Sequence, residues 1–120
     1  MLAPRELEAL RLLGYFFLKH GQHEKAATLF GTLERLAPQS RNPAQARALA
    51  LARDRLGQPE KALEALDRLA MTGAIDEQFH VLRAKALGDL GRWSEAALAM
   101  QAALDCREAG RPRTPPDAAP

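Results

Sequence analysis

The sequence has 120 residues, of which 17 are basic and 15 acidic, so its formal net charge is only +2 and binding to nucleic acid or to a membrane surface is not expected. No run of 18 apolar residues occurs, so the chain is not expected to be membrane-inserted. Hydrophobic residues make up 47% of the chain but aromatic residues only 5%, and the use of Ala and Leu rather than Val and Ile favours an all-α fold.

The first predicted element is a helical hairpin that turns at Gly21. Apolar residues recur with a helical period before this glycine, from Leu7 to Leu18, and after it, from Ala26 to Leu36. Pro38 cannot continue the second helix. The first unit is therefore taken as residues 7–40.

Two further hairpins repeat this pattern. The segment Gly-Gln-His-Glu-Lys-Ala at 21–26 matches Gly-Gln-Pro-Glu-Lys-Ala at 57–62 and, more loosely, Gly-Arg-Trp-Ser-Glu-Ala at 91–96, so the glycines are 36 and then 34 residues apart. A near-constant spacing of this size indicates stacked repeats. We predict one domain, 1–108, with repeats at about 7–40, 43–76 and 77–108.

The last predicted helix, about 94–107, is apolar on more than one face. Its larger apolar residues, Leu98, Met100 and Leu104, lead us to expect a face that is buried against a second protein. The alternative is a helix that is merely rich in Ala, whose short side chain tolerates exposure. Ser94 is expected to be the N-cap of this helix and Trp93 to pack at its turn.

The chain ends in a proline-rich segment, 109–120. Four prolines lie between positions 112 and 120, and proline cannot donate to a helical hydrogen-bond ladder. We predict a disordered tail.

The first unit resembles the tetratricopeptide repeat at seven signature positions: Leu10, Leu13, Gly14, Phe17, Ala26, Phe30 and Pro38. The second unit departs from that pattern at Arg53, where an aromatic residue is usual, and the third departs at His80 and Arg83. The resemblance implies three tandem helical hairpins in a right-handed solenoid whose first helices line a concave groove. A binding function for another polypeptide is expected from such an array.

The resemblance also implies which side chains line this groove. The apolar ones are Leu12, Tyr15, Leu51, Val81 and Leu82. The basic ones are Arg11, Lys19, Arg47, Arg55 and Lys85, set against Glu8, Asp54 and Asp89. An apolar floor with basic edges suits an amphipathic or extended peptide of some acidic character. For each charge taken singly, a solvated helix face is the competing interpretation.

The sequence contains no pattern typical of an enzyme. His20 and His23 flank a turn without a third ligand nearby, so no metal site is expected. Cys106 lies among Ala and Leu and is expected to be a small core residue. No phosphate-binding or dinucleotide-binding motif is present. We expect no catalysis, cofactor or small-molecule ligand.

Three short motifs are similar to those of small type III secretion chaperones, especially the YscY (SctY) family. They are Leu13-Gly14-Tyr15, His20-Gly21-Gln22-His23 and Leu36-Ala37-Pro38-Gln39. The resemblance implies a heterodimer with the small secreted protein SctX (YscX), docking to the cytoplasmic domain of the export gate SctV, and a role in virulence. The absence of a secretion signal at the N-terminus and the single cysteine fit the bacterial cytoplasm.

Two alternatives stay open. One is a chaperone of the same fold for another type III substrate, a needle subunit or a translocator. The other is a self-associating scaffold whose ends pair with each other.

Overall fold

The computed structural model describes residues 2–38 and 42–110, which form six helices and no strand. The helices are α1 (Pro4–Lys19), α2 (His23–Leu36), α3 (Pro43–Arg55), α4 (Pro59–Met71), α5 (Glu77–Asp89) and α6 (Trp93–Ala109). They pair as three hairpins, α1–α2, α3–α4 and α5–α6, which confirms the predicted all-α class and its three units. The tail was predicted to begin at Ala109, but α6 includes this residue; from position 111 onward, the predicted tail lies outside the described residues.

Turn and cap residues set the helix ends. Gly21, Gly57 and Gly91 have φ of 75°, 71° and 74°, so the predicted left-handed turn between the two helices of each hairpin is confirmed. Asn42 and Asp76 cap α3 and α5, each through a side-chain oxygen that accepts a backbone N–H at 3.0 Å.

The prediction that Ser94 caps α6 is wrong. The helix begins one residue earlier, at Trp93, and its N-cap is Arg92, which makes no side-chain cap hydrogen bond. Ser94 therefore lies inside the first turn.

The first two hairpins share the larger core. Its fully buried large side chains include Phe30, Leu33, Leu49, Leu66 and Leu69. The third hairpin packs through smaller residues, since Ala84, Leu87 and Ala99 form its own cluster. The prediction of hairpins that stack into a continuous core therefore holds best for the first two units.

Gly14 brings α1 close to α2. A Cβ at this position would lie 2.5 Å from Cζ of Phe30, closer than two carbon atoms can approach. The Phe30 ring fills the space that a side chain would take, and it also packs on Tyr15 with ring centroids 5.2 Å apart.

The hairpins are arranged as a curved array. Each helix contacts the next one along the chain, and α1 also contacts α3, as α3 contacts α5. Among the described residues, the backbone of α4 does not come close to that of α2 or of α6. The first helices therefore lie on the inner side of the curve and the second helices on the outer side.

Candidate functional site

The ten residues predicted to line the groove all lie on the three inner helices, α1, α3 and α5. We call the side that these helices share the inner surface. Leu12 and Val81 are exposed on it, with exposed fractions of 64% and 37%. Tyr15, Leu51 and Leu82 are half-buried, and Leu82 packs against the shared core. The inner surface therefore carries two exposed apolar side chains, and the other three apolar side chains predicted to line it are half-buried.

Tyr15 is anchored more firmly than a purely surface residue. Its ring packs on Phe30, and burial raises the pKa of its hydroxyl, with a smaller lowering from Arg11. Substitution at Tyr15 would disturb the core as well as the surface, so Leu12 is the better probe of this helix.

Three of the five basic residues form cross-helix contacts within the chain. Arg11 Nε donates to Gln45 Oε1 at 2.9 Å, which ties α1 to α3. Arg47 pairs with Asp76 at 2.7 Å, where α5 begins. These contacts hold neighbouring first helices in register, so the two side chains are structural as well as surface residues.

Lys85 makes the third cross-helix contact. Its Nζ lies 3.0 Å from Asp54, whose side chain is only 3% exposed, and 3.5 Å from Asp89. The hydrogen bond with Asp54 raises the pKa of Lys85. A buried carboxylate requires a partner of this kind, so Asp54 and Lys85 belong to the framework between α3 and α5.

Lys19 and Arg55 differ from these three. Both are exposed, and neither makes an ion pair with any residue that the structure describes. The positive charge that the inner surface offers to a ligand therefore lies at the C-terminal ends of α1 and α3.

The last helix exposes an apolar stripe. This stripe consists of four residues at helical spacing along one side of α6: Trp93, Ala97, Met100 and Leu104. The exposed fraction is 72% for Trp93, 42% for Met100 and 44% for Leu104. We call these four residues the C-terminal face. Trp93 packs at its turn as expected, since a Cβ at Gly88 would lie 3.4 Å from Cζ3 of its ring, but most of its side chain is exposed.

Leu98 does not share this face. It is 71% exposed, but about 200° of helix rotation separates it from Met100. Leu98, Met100 and Leu104, which were predicted to share one buried face, thus lie on two sides of α6.

An exposed apolar patch on α1 was not predicted from the sequence. Ala9, Leu13 and Phe16 lie on the side of α1 turned away from α2 and α3, and Leu13 and Phe16 are 43% and 52% exposed. We call these three residues the N-terminal face. Their helical period alone did not distinguish them from the core residues on the same helix.

A cavity of about 530 Å³ lies between the second helices α2 and α4, on the side opposite the inner surface. Arg53 reaches into it and donates to the carbonyl of Lys61 at 3.0 Å, while Arg68 pairs with Glu34 at 2.8 Å. Burial, together with the charge of Arg68, lowers the pKa of Arg53. The sequence signal for this cavity was Arg53 itself, which stands where tetratricopeptide repeats usually carry an aromatic residue.

The described residues hold no group of three or more His, Cys, Asp or Glu side chains that could bind a metal ion. His20 contacts the carbonyl of Phe16 at 2.9 Å and stacks on its ring. Within the same residues, no helix has both the length and the apolar character that crossing a bilayer requires.

Comparison with known proteins places the array among tetratricopeptide folds. The Tetratricopeptide repeat family model matches residues 8–40. The structure titled MamA MSR-1 C2 superimposes with a TM-score of 0.80 at 19% identity; the match covers 91% of this chain and only 62% of the length of that chain. No curated protein matches the sequence.

A second similar structure is the Yersinia enterocolitica type III secretion translocator chaperone SycD. It superimposes with a TM-score of 0.79 at 23% identity, over 92% of this chain and 81% of that chain. At these identities the likeness concerns the fold. The chain is therefore an array of three tetratricopeptide-type helical hairpins.

Proposed function

We propose that this chain is a chaperone of bacterial type III secretion that holds the small secreted protein SctX (YscX) on its inner surface. The observation that carries the proposal is the apolar path across the three first helices, from Leu12 on α1 through Leu51 on α3 to Val81 on α5. A helical segment with one apolar stripe is the ligand that such a path accommodates.

Two similarities support this proposal. The chain carries the three short motifs noted for the YscY (SctY) family, and its fold is similar to that of SycD, a type III secretion translocator chaperone. The proposed complex is a heterodimer that works in the bacterial cytoplasm, docks at the cytoplasmic domain of SctV and contributes to virulence.

The charges refine the kind of peptide segment that fits. Arg11, Arg47 and Lys85 already contact polar side chains of this chain, so acidic residues of the partner are expected to face Lys19 and Arg55. Binding by an array of helices requires neither a cofactor nor a nucleic acid, and the proposal includes no enzymatic activity.

The test is co-purification of SctX with this chain and two of its variants. Leu12→Glu and Val81→Glu place a charge at the exposed ends of the apolar path, and each is expected to reduce bound SctX at least tenfold because a charge must be desolvated on binding. Leu98→Glu is the matched control, since Leu98 is as exposed as Leu12 but lies on α6 away from the inner surface. Circular dichroism shows whether each variant is folded.

If folded Leu12→Glu and Val81→Glu bind SctX as the unchanged chain does, the inner surface is not the binding site. Failure of the unchanged chain to bind SctX at all would reject the partner rather than the surface.

Docking at SctV is tested separately. The cytoplasmic domain of SctV is immobilised and offered this chain alone and with SctX. The proposal expects the complex to be retained more strongly than the chain alone, and equal retention would show that SctX does not take part in docking.

A translocator is the second candidate cargo, because SycD is named as a translocator chaperone and the similarity covers 81% of it. The same three variants distinguish the two cargoes. A translocator that is retained by the unchanged chain in competition with SctX, and lost with Leu12→Glu, would replace SctX in the proposal.

A further inference from the structure

The N-terminal face is exposed although its equivalents inside the array are buried. The turn glycines align α1 with α3, so Leu13 corresponds to Leu49 and Phe16 to Ala52. Leu13 and Phe16 are 43% and 52% exposed, while Leu49 and Ala52 are both 0% exposed. The difference is the helix that packs there, since α3 contacts α2 and α1 has no preceding helix among the described residues.

The C-terminal face shows the complementary difference. The same alignment pairs Met100 on α6 with Leu66 on α4, and Ala97 with Leu63. Met100 is 42% exposed and Leu66 only 1%, while Ala97 is exposed and Leu63 is half-buried. Leu63 packs on a cluster that includes Leu87 of α5, the first helix of the next hairpin, and no described helix follows α6.

Each end of the array thus presents one half of a junction that occurs twice within the chain. In the junctions α2–α3 and α4–α5, a second helix packs on the first helix of the next hairpin. We propose that the same junction forms between copies of this chain: the C-terminal face of one copy packs on the N-terminal face of the next.

The two faces suit each other in polarity. Ala9, Leu13 and Phe16 carry no charge, and neither do the residues opposite them on α6. Helices joined by a short connection run antiparallel, so the repeated junction brings the end of α6 near the beginning of α1 of the next copy. Glu108 and Arg5 lie exposed at these ends with opposite charges.

A contact of this kind joins different surfaces of the two copies, so it is heterologous. Unless its rotation closes a ring, it extends into an open chain of copies. Because both faces lie at the ends of the array, the inner surface stays accessible in the assembly. This inference therefore does not depend on the proposed chaperone function.

Sedimentation velocity of two variants, alone and mixed, tests the junction. The average mass of the unchanged chain is expected to rise with concentration. Leu13→Glu and Met100→Glu each inactivate one face, so each alone is expected to be a monomer. An equimolar mixture retains one intact pair of faces and is expected to form a 1:1 dimer and nothing larger.

Two controls keep this test interpretable. Leu98→Glu changes an exposed leucine of α6 outside the C-terminal face and is expected to assemble like the unchanged chain. Phe16→Glu replaces Leu13→Glu if circular dichroism shows that the latter is unfolded, because Phe16 is the more exposed of the two.

Three results would overturn the inference. One is an unchanged chain that is monomeric up to millimolar concentration. Another is assembly that Leu13→Glu abolishes and Met100→Glu does not, which would indicate a symmetric contact between two N-terminal faces. The third is a mixture of the two variants that stays monomeric.

Discussion

The middle of the array and its ends use the same helical pattern with different outcomes. Leu49 on α3 and Leu13 on α1 occupy equivalent positions, yet one is fully buried and the other is 43% exposed. The helical period shows which side of a helix is apolar. Whether that side is buried depends on a neighbouring helix. Among the described residues, the middle hairpin has such a neighbour on both sides and each terminal hairpin has one on a single side.

The largest expected effect comes from truncating these equivalent leucines. Leu49→Ala removes a fully buried side chain and is expected to lower the free energy of unfolding by about 2–5 kcal/mol. Leu13→Ala removes a half-exposed one and is expected to cost less than about 1 kcal/mol. Urea denaturation of both variants at a concentration low enough to keep the chain monomeric measures the difference. Equal losses would show that α1 is as well covered as α3 in solution.

The contact between α1 and α2 is expected to be tight even though the opposite side of α1 is exposed. Gly14→Ala places a methyl group against the Phe30 ring, 2.5 Å from Cζ, so the ring or α1 must shift. We expect a loss of about 1–3 kcal/mol by overpacking, again measured by urea denaturation.

The control for Gly14→Ala is the double variant with Phe30→Leu. Leucine lacks the ring atoms that the new methyl group meets, so Gly14→Ala should cost less in the Phe30→Leu background than in the unchanged chain. The same cost in both backgrounds would assign the loss to something other than the Phe30 contact.

The parts of the fold that sequence could predict are those set by neighbouring residues. Gly21 and Gly57 fixed the turns because a left-handed conformation favours glycine, and the apolar period located the helices between them. Ser94 failed as a predicted cap because α6 begins at Trp93. A cap depends on backbone geometry at the first turn, which a suitable residue type does not determine by itself.

For the candidate site, the sequence could predict which helices carry its residues but not which contacts these residues make. The sequence put Arg47 and Lys85 on the inner side but did not show that Asp76 and Asp54 would pair with them, because these contacts cross 29 and 31 residues of chain. Leu98 was grouped with Met100 because both are large and apolar, although a separation of two residues puts them on different sides of a helix.

Two ion pairs extend the comparison between the middle of the array and its end, with smaller expected changes in the free energy of unfolding. Asp54→Asn removes the buried carboxylate that pairs with Lys85 between α3 and α5, and it is expected to cost about 1 kcal/mol because Lys85 itself is half-exposed and screened by solvent. Glu77→Gln breaks the exposed pair with Arg107 in the terminal hairpin and is expected to cost less than about 0.5 kcal/mol. Urea denaturation of the two variants ranks the pairs, and the reverse order would contradict the structural role of Asp54.

The pH dependence identifies the interaction that Asp54→Asn removes. Folding raises the pKa of Lys85 above its ordinary value of about 10.4, so its contribution to stability is complete below that pH and is lost as the pH rises through the folded-state pKa. The difference in unfolding free energy between the unchanged chain and Asp54→Asn should therefore be constant at neutral pH and shrink above about pH 10. A constant difference at alkaline pH would mean that Lys85 does not stabilise the Asp54 carboxylate.

The one expected gain in stability is at Gly31 on α2. In contrast to Gly14, Gly31 lines the open cavity between the second helices, and a Cβ there would meet only the Arg53 guanidinium, at 4.0 Å. Alanine is favoured over glycine within a helix, so Gly31→Ala should raise the free energy of unfolding by about 0.5–1 kcal/mol. Thermal and urea denaturation of Gly31→Ala beside Gly14→Ala give two substitutions of the same chemistry with opposite signs. A lower free energy of unfolding for Gly31→Ala would show that the Arg53 guanidinium packs on the α2 backbone and closes the cavity. The outer side of the first two hairpins would then be as well filled as their core.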